Sequence, residues 1–281
     1  MRKLKIIALS IVFFFVLSSC MSQSAIKKQA EIFTVVTSTY PIYSITGFIM
    51  QNSTSTGLAN LIENQTSCMH DYSLLPKDMA KIEDSDLFLA CADDVSSRIE
   101  IPNKAVVSDL EHPWMNFDDA IAMAKSIAHG LAEADWKNKT TYLENADKFT
   151  EELVNTKTIM IKKINALAEN SVLSLDEAIT TFANSIGLGV FENDNHSHEH
   201  EATINIARCI SLIEANNISI ILVSDSESRG LKTLEKELNK KGIKIQILEL
   251  STFLSGPGST DDYFTTLNEN FEKIYNELAH R

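Results

Sequence analysis

The sequence is poor in chain breakers, with nine glycines and five prolines among 281 residues. That excludes a collagen-like or low-complexity chain. Hydrophobic residues make up 44%, too many for a chain that stays disordered. Four cysteines are too few for a disulfide-built scaffold. Basic residues are outnumbered, 25 against 38 acidic, for a net charge of −13. An acidic surface repels phosphate backbones, so no nucleic acid is expected as a partner. Catalytic signatures are missing as well: there is no HExxH, no G-x-S-x-G and no P-loop. A metallohydrolase would need a general base beside an open metal position, and nothing marks one.

What is present begins at the N-terminus. Met1-Arg2-Lys3-Leu4-Lys5 is basic, and Ile6 to Leu17 is almost uninterruptedly apolar. The apolar run falls short of the about 20 residues that span a bilayer, and fits the n- and h-regions of a secretory signal. Leu17-Ser18-Ser19-Cys20 resembles a bacterial lipobox, in which Cys20 becomes the acylated N-terminus. The expectation is therefore a signal peptide over residues 1–19 and a polar tether over 20–31. The mature protein would be extracytoplasmic and lipid-anchored to the membrane. Cleavage removes Arg2, Lys3 and Lys5 but no acid, leaving 22 basic residues against 38 acidic and a net charge of −16. Cys91 and Cys209 lie in apolar contexts and read as buried small hydrophobes.

The remaining chain alternates strands and helices. Strands are expected at Phe33–Ser38, Gly57–Ile62, Asp86–Ala90, Lys104–Val107, Ser171–Leu175, Leu188–Phe191, Ile218–Val223 and Lys244–Leu250. These are short apolar, often β-branched runs of the kind buried in parallel sheets. Between them helices are expected at Ile42–Met50, Pro76–Ile82, Asn116–Glu133, Glu177–Ser185, Ala202–Ala215, Leu231–Lys241 and Asp262–Ala279. Residues 138–170 hold no Gly or Pro, and apolar Tyr142, Ala146, Phe149 and Leu153 recur at three and four. That predicts one helix near 45 Å long, at about 1.5 Å per residue. The fold class is thus α/β: two parallel-sheet lobes, 32–137 and 171–281, joined by the long helix 138–170. Ligands of such folds bind at the carboxyl ends of strands, here the cleft between the lobes.

Two histidines stand at those ends. His70 follows the second strand in His70-Asp71-Tyr72, and His112 follows the fourth in His112-Pro113-Trp114. His129 falls inside a helix and His280 at the tail. Taken with Val35-Val36-Thr37-Ser38-Thr39-Tyr40-Pro41, with Pro76 and Ser85-Asp86-Leu87-Phe88, and with Asp119-Ala120 through Ile127-Ala128, these motifs resemble a known family. It is the zinc- and manganese-binding solute receptors of ABC transporters, and the resemblance covers most of the mature chain. It implies two α/β lobes on a rigid helix, one divalent ion held between them, and delivery to a membrane permease driven by its ATPase.

The resemblance also implies a third and a fourth ligand, and there the sequence departs from the family pattern. Asp176, in Leu175-Asp176-Glu177-Ala178, stands where the family has His or Glu; it reads either as an oxygen ligand or as the N-cap of the next helix. Glu249, in Ile247-Leu248-Glu249-Leu250, stands near the family's final carboxylate, with Asp261 and Asp262 as rivals. Two imidazoles and two carboxylates would neutralise one divalent ion in a low-dielectric cleft. Such a set suits Zn2+, with Mn2+ as the alternative. The alternating His196, His198 and His200, flanked by acids, form a short tract of the metal-binding kind and lean towards zinc, either as an auxiliary site or as the source of the missing imidazole of the main site. Cys68, two residues from His70, is a soft donor in principle but is not counted in the set. The leading expectation is a metal-capturing receptor. An adhesin-like surface lipoprotein with a degenerate site is the alternative, and a metallohydrolase is the remotest.

Overall fold

A computed structural model describes residues 32–61, 72–92, 99–193, 204–224, 230–252 and 263–280. The chain divides into two units, Met1–Ile32 and Phe33–Arg281. The strands and helices named below all belong to the second. The expected signal peptide, tether and Cys20 lie outside the described residues, as do Cys68, His70 and His196–His200.

The first sheet is built from β1 (Phe33–Thr37), β2 (Thr56–Asn60), β3 (Leu87–Cys91) and β4 (Lys104–Ser108). It is four-stranded, parallel throughout, in the order β2-β1-β3-β4. The second repeats the plan with β5 (Ser171–Ser174), β6 (Gly189–Glu192), β7 (Ile220–Ser224) and β8 (Gln246–Leu250), ordered β6-β5-β7-β8. The helices are α1 (Tyr40–Ile49), α2 (Pro76–Glu83), α3 (Phe117–Ala134), α4 (Lys139–Asn165), α5 (Glu177–Ser185), α6 (Ile206–Asn216), α7 (Leu231–Lys240) and α8 (Tyr263–Ala279).

The central strands are apolar on both faces because both faces are covered. Val35, Leu87 and Leu89 face the main core, while Val36, Phe88 and Ala90 face a smaller cluster with Ile82 of α2. In the second sheet Ile220 and Leu222 join the main core, and Ile221 and Val223 pack with Cys209 of α6 and with Leu234 and Leu238 of α7. The main core takes side chains from both sheets and from α1, α3, α4, α5 and α8. The two lobes therefore share one apolar interior, crossed by rings such as Phe48 against Phe264 at 5.7 Å and Phe117 against Phe182 at 6.5 Å.

Where element ends differ from expectation, the causes are local. α1 starts at Tyr40 rather than Ile42, because Pro41 fits the first turn, where an N–H has no intrahelical partner anyway. The linking helix α4 is 27 residues, about 40 Å long, and stops at Asn165 rather than Asn170. Its last turn tightens through Ala166 N–H to Lys163 O and Leu167 N–H to Ile164 O, and the chain then turns into β5. β8 begins at Gln246 rather than Lys244, although Ile243 and Ile245 still pack against the α6–α7 cluster.

Candidate metal centre

Strand order reverses beside β1 in the first sheet and beside β5 in the second. In open parallel sheets a crevice forms at such reversals, outside the carboxyl ends of the strands. Ser38 and Thr39 follow β1 and are fully buried. Asp176 follows β5 by two residues, and His112 follows β4 by four.

His112 is held in an unusual state. Its backbone is left-handed, φ 48° and ψ 45°, a conformation that few non-glycine residues adopt. Pro113 follows it, and a residue before proline is steered away from the right-handed helical region. The carbonyl of His112 accepts from Met115 N–H at 2.9 Å, closing the short 3-10 turn Pro113–Met115. The imidazole meets the Trp114 ring edge-on, with centroids 5.5 Å apart and planes at 81°. Its Nε2 lies 3.9 Å from Glu111 Oε1. Its Nδ1 is buried and finds no hydrogen-bond partner among the described residues. A buried ring nitrogen without a partner costs about 1–3 kcal/mol, so the nitrogen is poised to be satisfied by something that enters the site.

Asp176 caps α5. Its Oδ1 accepts from Ile179 N–H at 3.0 Å, and its backbone carbonyl accepts from Ser174 Oγ–H. The N-cap role considered from sequence is therefore real. It occupies one carboxylate oxygen, Oδ1. Glu249 lies inside β8, opposite Val223. It is exposed and alternates with buried Leu248 and Leu250. The residues that follow the strand are Ser251 and Thr252, and Asp261 and Asp262 lie outside the described residues. Among the described residues no three His, Cys, Asp or Glu side chains come together to hold a metal ion. His129 is exposed on α3, and His280 is exposed at the end of the chain.

Sequence reasoning missed the groups that tie the His112 loop to the second lobe. The Trp114 indole Nε1–H donates to Thr252 O at 3.0 Å, and Tyr263 Oη–H donates to Trp114 O at 2.6 Å. Both bonds are buried, and burial pushes the Tyr263 phenol far above its ordinary pKa. Asn270 of α8 grips the end of β8, accepting from Ser251 N–H and donating to Ser251 O. The two bonds at Trp114 join partners well over a hundred positions apart in the chain, and no local pattern connects them.

Two parallel α/β lobes on a long helix, with a histidine-bearing loop where they meet, define the solute-receptor class of fold. Residues 108–277 match the family described as ZnuA, zinc-uptake complex component A, periplasmic. The match takes in more than half of the chain, and the chain belongs to that family. It is 23% identical over 173 residues to a metal ABC transporter substrate-binding lipoprotein of Lactococcus lactis, covering 60% of this chain and 54% of that protein. The chain thus spans little more than half the length of that relative. It is 24% identical over 213 residues to the metal ABC transporter substrate-binding lipoprotein SloC of Streptococcus mutans, covering 74% of this chain and 68% of that one. Among solved structures it resembles the laminin-binding protein Lmb of Streptococcus agalactiae, described as bifunctional with adhesin and metal-transporting activity. There the TM-score is 0.74 at 21% identity, over 88% of this chain and 99% of that one. The family is one of binding components of uptake systems, not of enzymes.

Proposed function

We propose that the chain is an extracytoplasmic substrate-binding lipoprotein of an ABC importer, anchored through Cys20, that captures one divalent transition metal ion and hands it to the permease. Zinc is the favoured cargo and manganese the next. The observation that carries this reading is the buried Nδ1 of His112, unpartnered among the described residues, on a loop that the fold presents at the carboxyl edge of the first sheet. His70 is the second imidazole of the proposed set, and Asp176 and Glu249 are the carboxylates read from the sequence, although the described structure does not bring those two together with His112. The tract His196, His198 and His200 is proposed as an auxiliary collector. Support for zinc comes from the family's zinc-uptake description and from that tract. The oxygen-bearing half of the set is what keeps manganese in view.

His70→Ala and His112→Ala are expected to lower the affinity of the metal-stripped protein for Zn2+ at least about a hundredfold each, with folding intact, since each removes an inner ligand and not merely an outer partner. Retained affinity in both variants would overturn the site. A second reading, a surface adhesin that has kept the fold, draws on the adhesin activity named for Lmb. Unchanged cellular metal uptake in the double histidine variant would favour it.

A further inference from the structure

Trp114 sits two residues beyond His112, is 5% exposed, and bonds across the lobe boundary in both directions. Its side chain donates to Thr252 O, and its carbonyl accepts from Tyr263 Oη–H. Thr252 follows Ser251, whose N–H and carbonyl are both gripped by the buried Asn270 side chain. A continuous path of contacts therefore runs from the His112 ring through Trp114 to the end of β8 and into α8. Every link is made by protein groups alone.

We propose that Trp114 is the positioning residue through which the second lobe sets the His112 imidazole, so that the grip on the ion depends on the seating of the lobes. This rests on the metal-capturing reading above and adds a residue that does not itself touch the ion. The edge-on ring contact fixes the tilt of the imidazole, and the left-handed backbone at His112 leaves its loop few alternative paths. A shift of the second lobe moves Thr252 and Tyr263. Both pull on the residue that holds the histidine ring. Outer partners that orient a metal-bound histidine are worth about 10- to 100-fold in affinity, and Trp114 acts at that level.

The test uses the mature chain, with Zn2+ and Mn2+ as probes. In Trp136→Phe, which alters an exposed residue, Trp114 is the sole tryptophan. Its emission is expected to change on adding Zn2+, and adding His112→Ala should abolish the change. Trp114→Phe keeps a ring but loses the indole N–H, and Tyr263→Phe loses one hydroxyl. Each is expected to speed release of the ion to a chelator about tenfold while one ion per chain still binds. If Trp114→Phe fails to fold, Tyr263→Phe alone carries the test. Release at the wild-type rate in the variants that fold, or an emission that ignores the metal, would overturn the proposal. Wild-type protein that binds neither ion would instead remove the parent reading, and this one with it.

Discussion

His112 answers to two constraints at once. Pro113 and the tight turn after it set the backbone, while Trp114 and the fold around it bury one ring nitrogen that has no partner among the described residues. The histidine was legible in the sequence because His-Pro-Trp closely follows a strand. Its left-handed backbone and its bonds to the second lobe were not, because those depend on residues far along the chain. Glu249 shows the reverse case. A carboxylate near the last strand end was easy to find, but β8 runs on to Leu250, so Glu249 lies within the strand and its alternation with buried Leu248 and Leu250 leaves it exposed. The cysteines carry a separate residue-scale prediction. Cys209 is fully buried on α6, and burial pushes its thiol from an ordinary 9.0 up to about 11, with Arg208 opposing only in part. A raised thiol pKa means less thiolate, about a hundredfold less at pH 8. Cys209 should therefore resist alkylation in the native protein and react promptly once urea unfolds it, as read by mass spectrometry. Native labelling at the rate of an exposed thiol would contradict this.

At the scale of elements, the turn between α3 and α4 shows how a polar cluster fixes a helix start. Asp135 is buried and accepts from Asn138 Nδ2–H at 2.6 Å and from Tyr142 Oη–H at 2.8 Å. Asn138 also reaches the turn before β2, accepting from Thr54 N–H and donating to Thr54 O. The entry into the linking helix is thus stitched to the edge of the first sheet. Asn138→Ala is expected to cost about 1–3 kcal/mol, because it strips partners from a buried carboxylate and from a backbone N–H. Urea denaturation measures the cost, and a loss below about 0.5 kcal/mol would mean that water replaces those bonds. The helix itself was legible from the absence of Gly and Pro and from the spacing of Tyr142, Ala146, Phe149 and Leu153. Its end was not, because the tightened turn at Ala166 has no marker residue. Farther along, Lys163 pairs with Glu272 at 2.8 Å and lies over the Phe271 and Tyr275 rings, while Lys157 pairs with Asp118. α4 is pinned at one point to α3 and at another to α8.

For the whole molecule, the decisive feature is the main core that runs through both lobes. Two α/β lobes were legible in the sequence, since the strand–helix alternation restarts after the long helix. Only the fold shows that a main core runs through both lobes beside a smaller cluster in each: Phe48, Phe149, Tyr263 and Phe264 pack as one aromatic group across the join. An apolar interface of this kind resists wide opening, so on the proposed function any closure over a ligand is expected to proceed by small displacements. Thermal unfolding should accordingly be one cooperative transition, with probes in either lobe giving the same midpoint. Two separated transitions would show that the lobes are independent. Metal should raise that midpoint, since an ion that binds only the folded chain adds to its stability.

Metal capture by this fold stands or falls on one divalent ion held through His70 and His112. Equilibrium dialysis of the metal-stripped mature chain against Zn2+ and against Mn2+, with bound metal counted by elemental analysis, reads that directly. One tight ion per chain is predicted for at least one of the two, reduced to none when His70 and His112 are both replaced by alanine. Any looser ions on the His196–His200 tract should be removed by replacing those three histidines. A wild-type chain that retains neither metal would contradict metal capture by this protein.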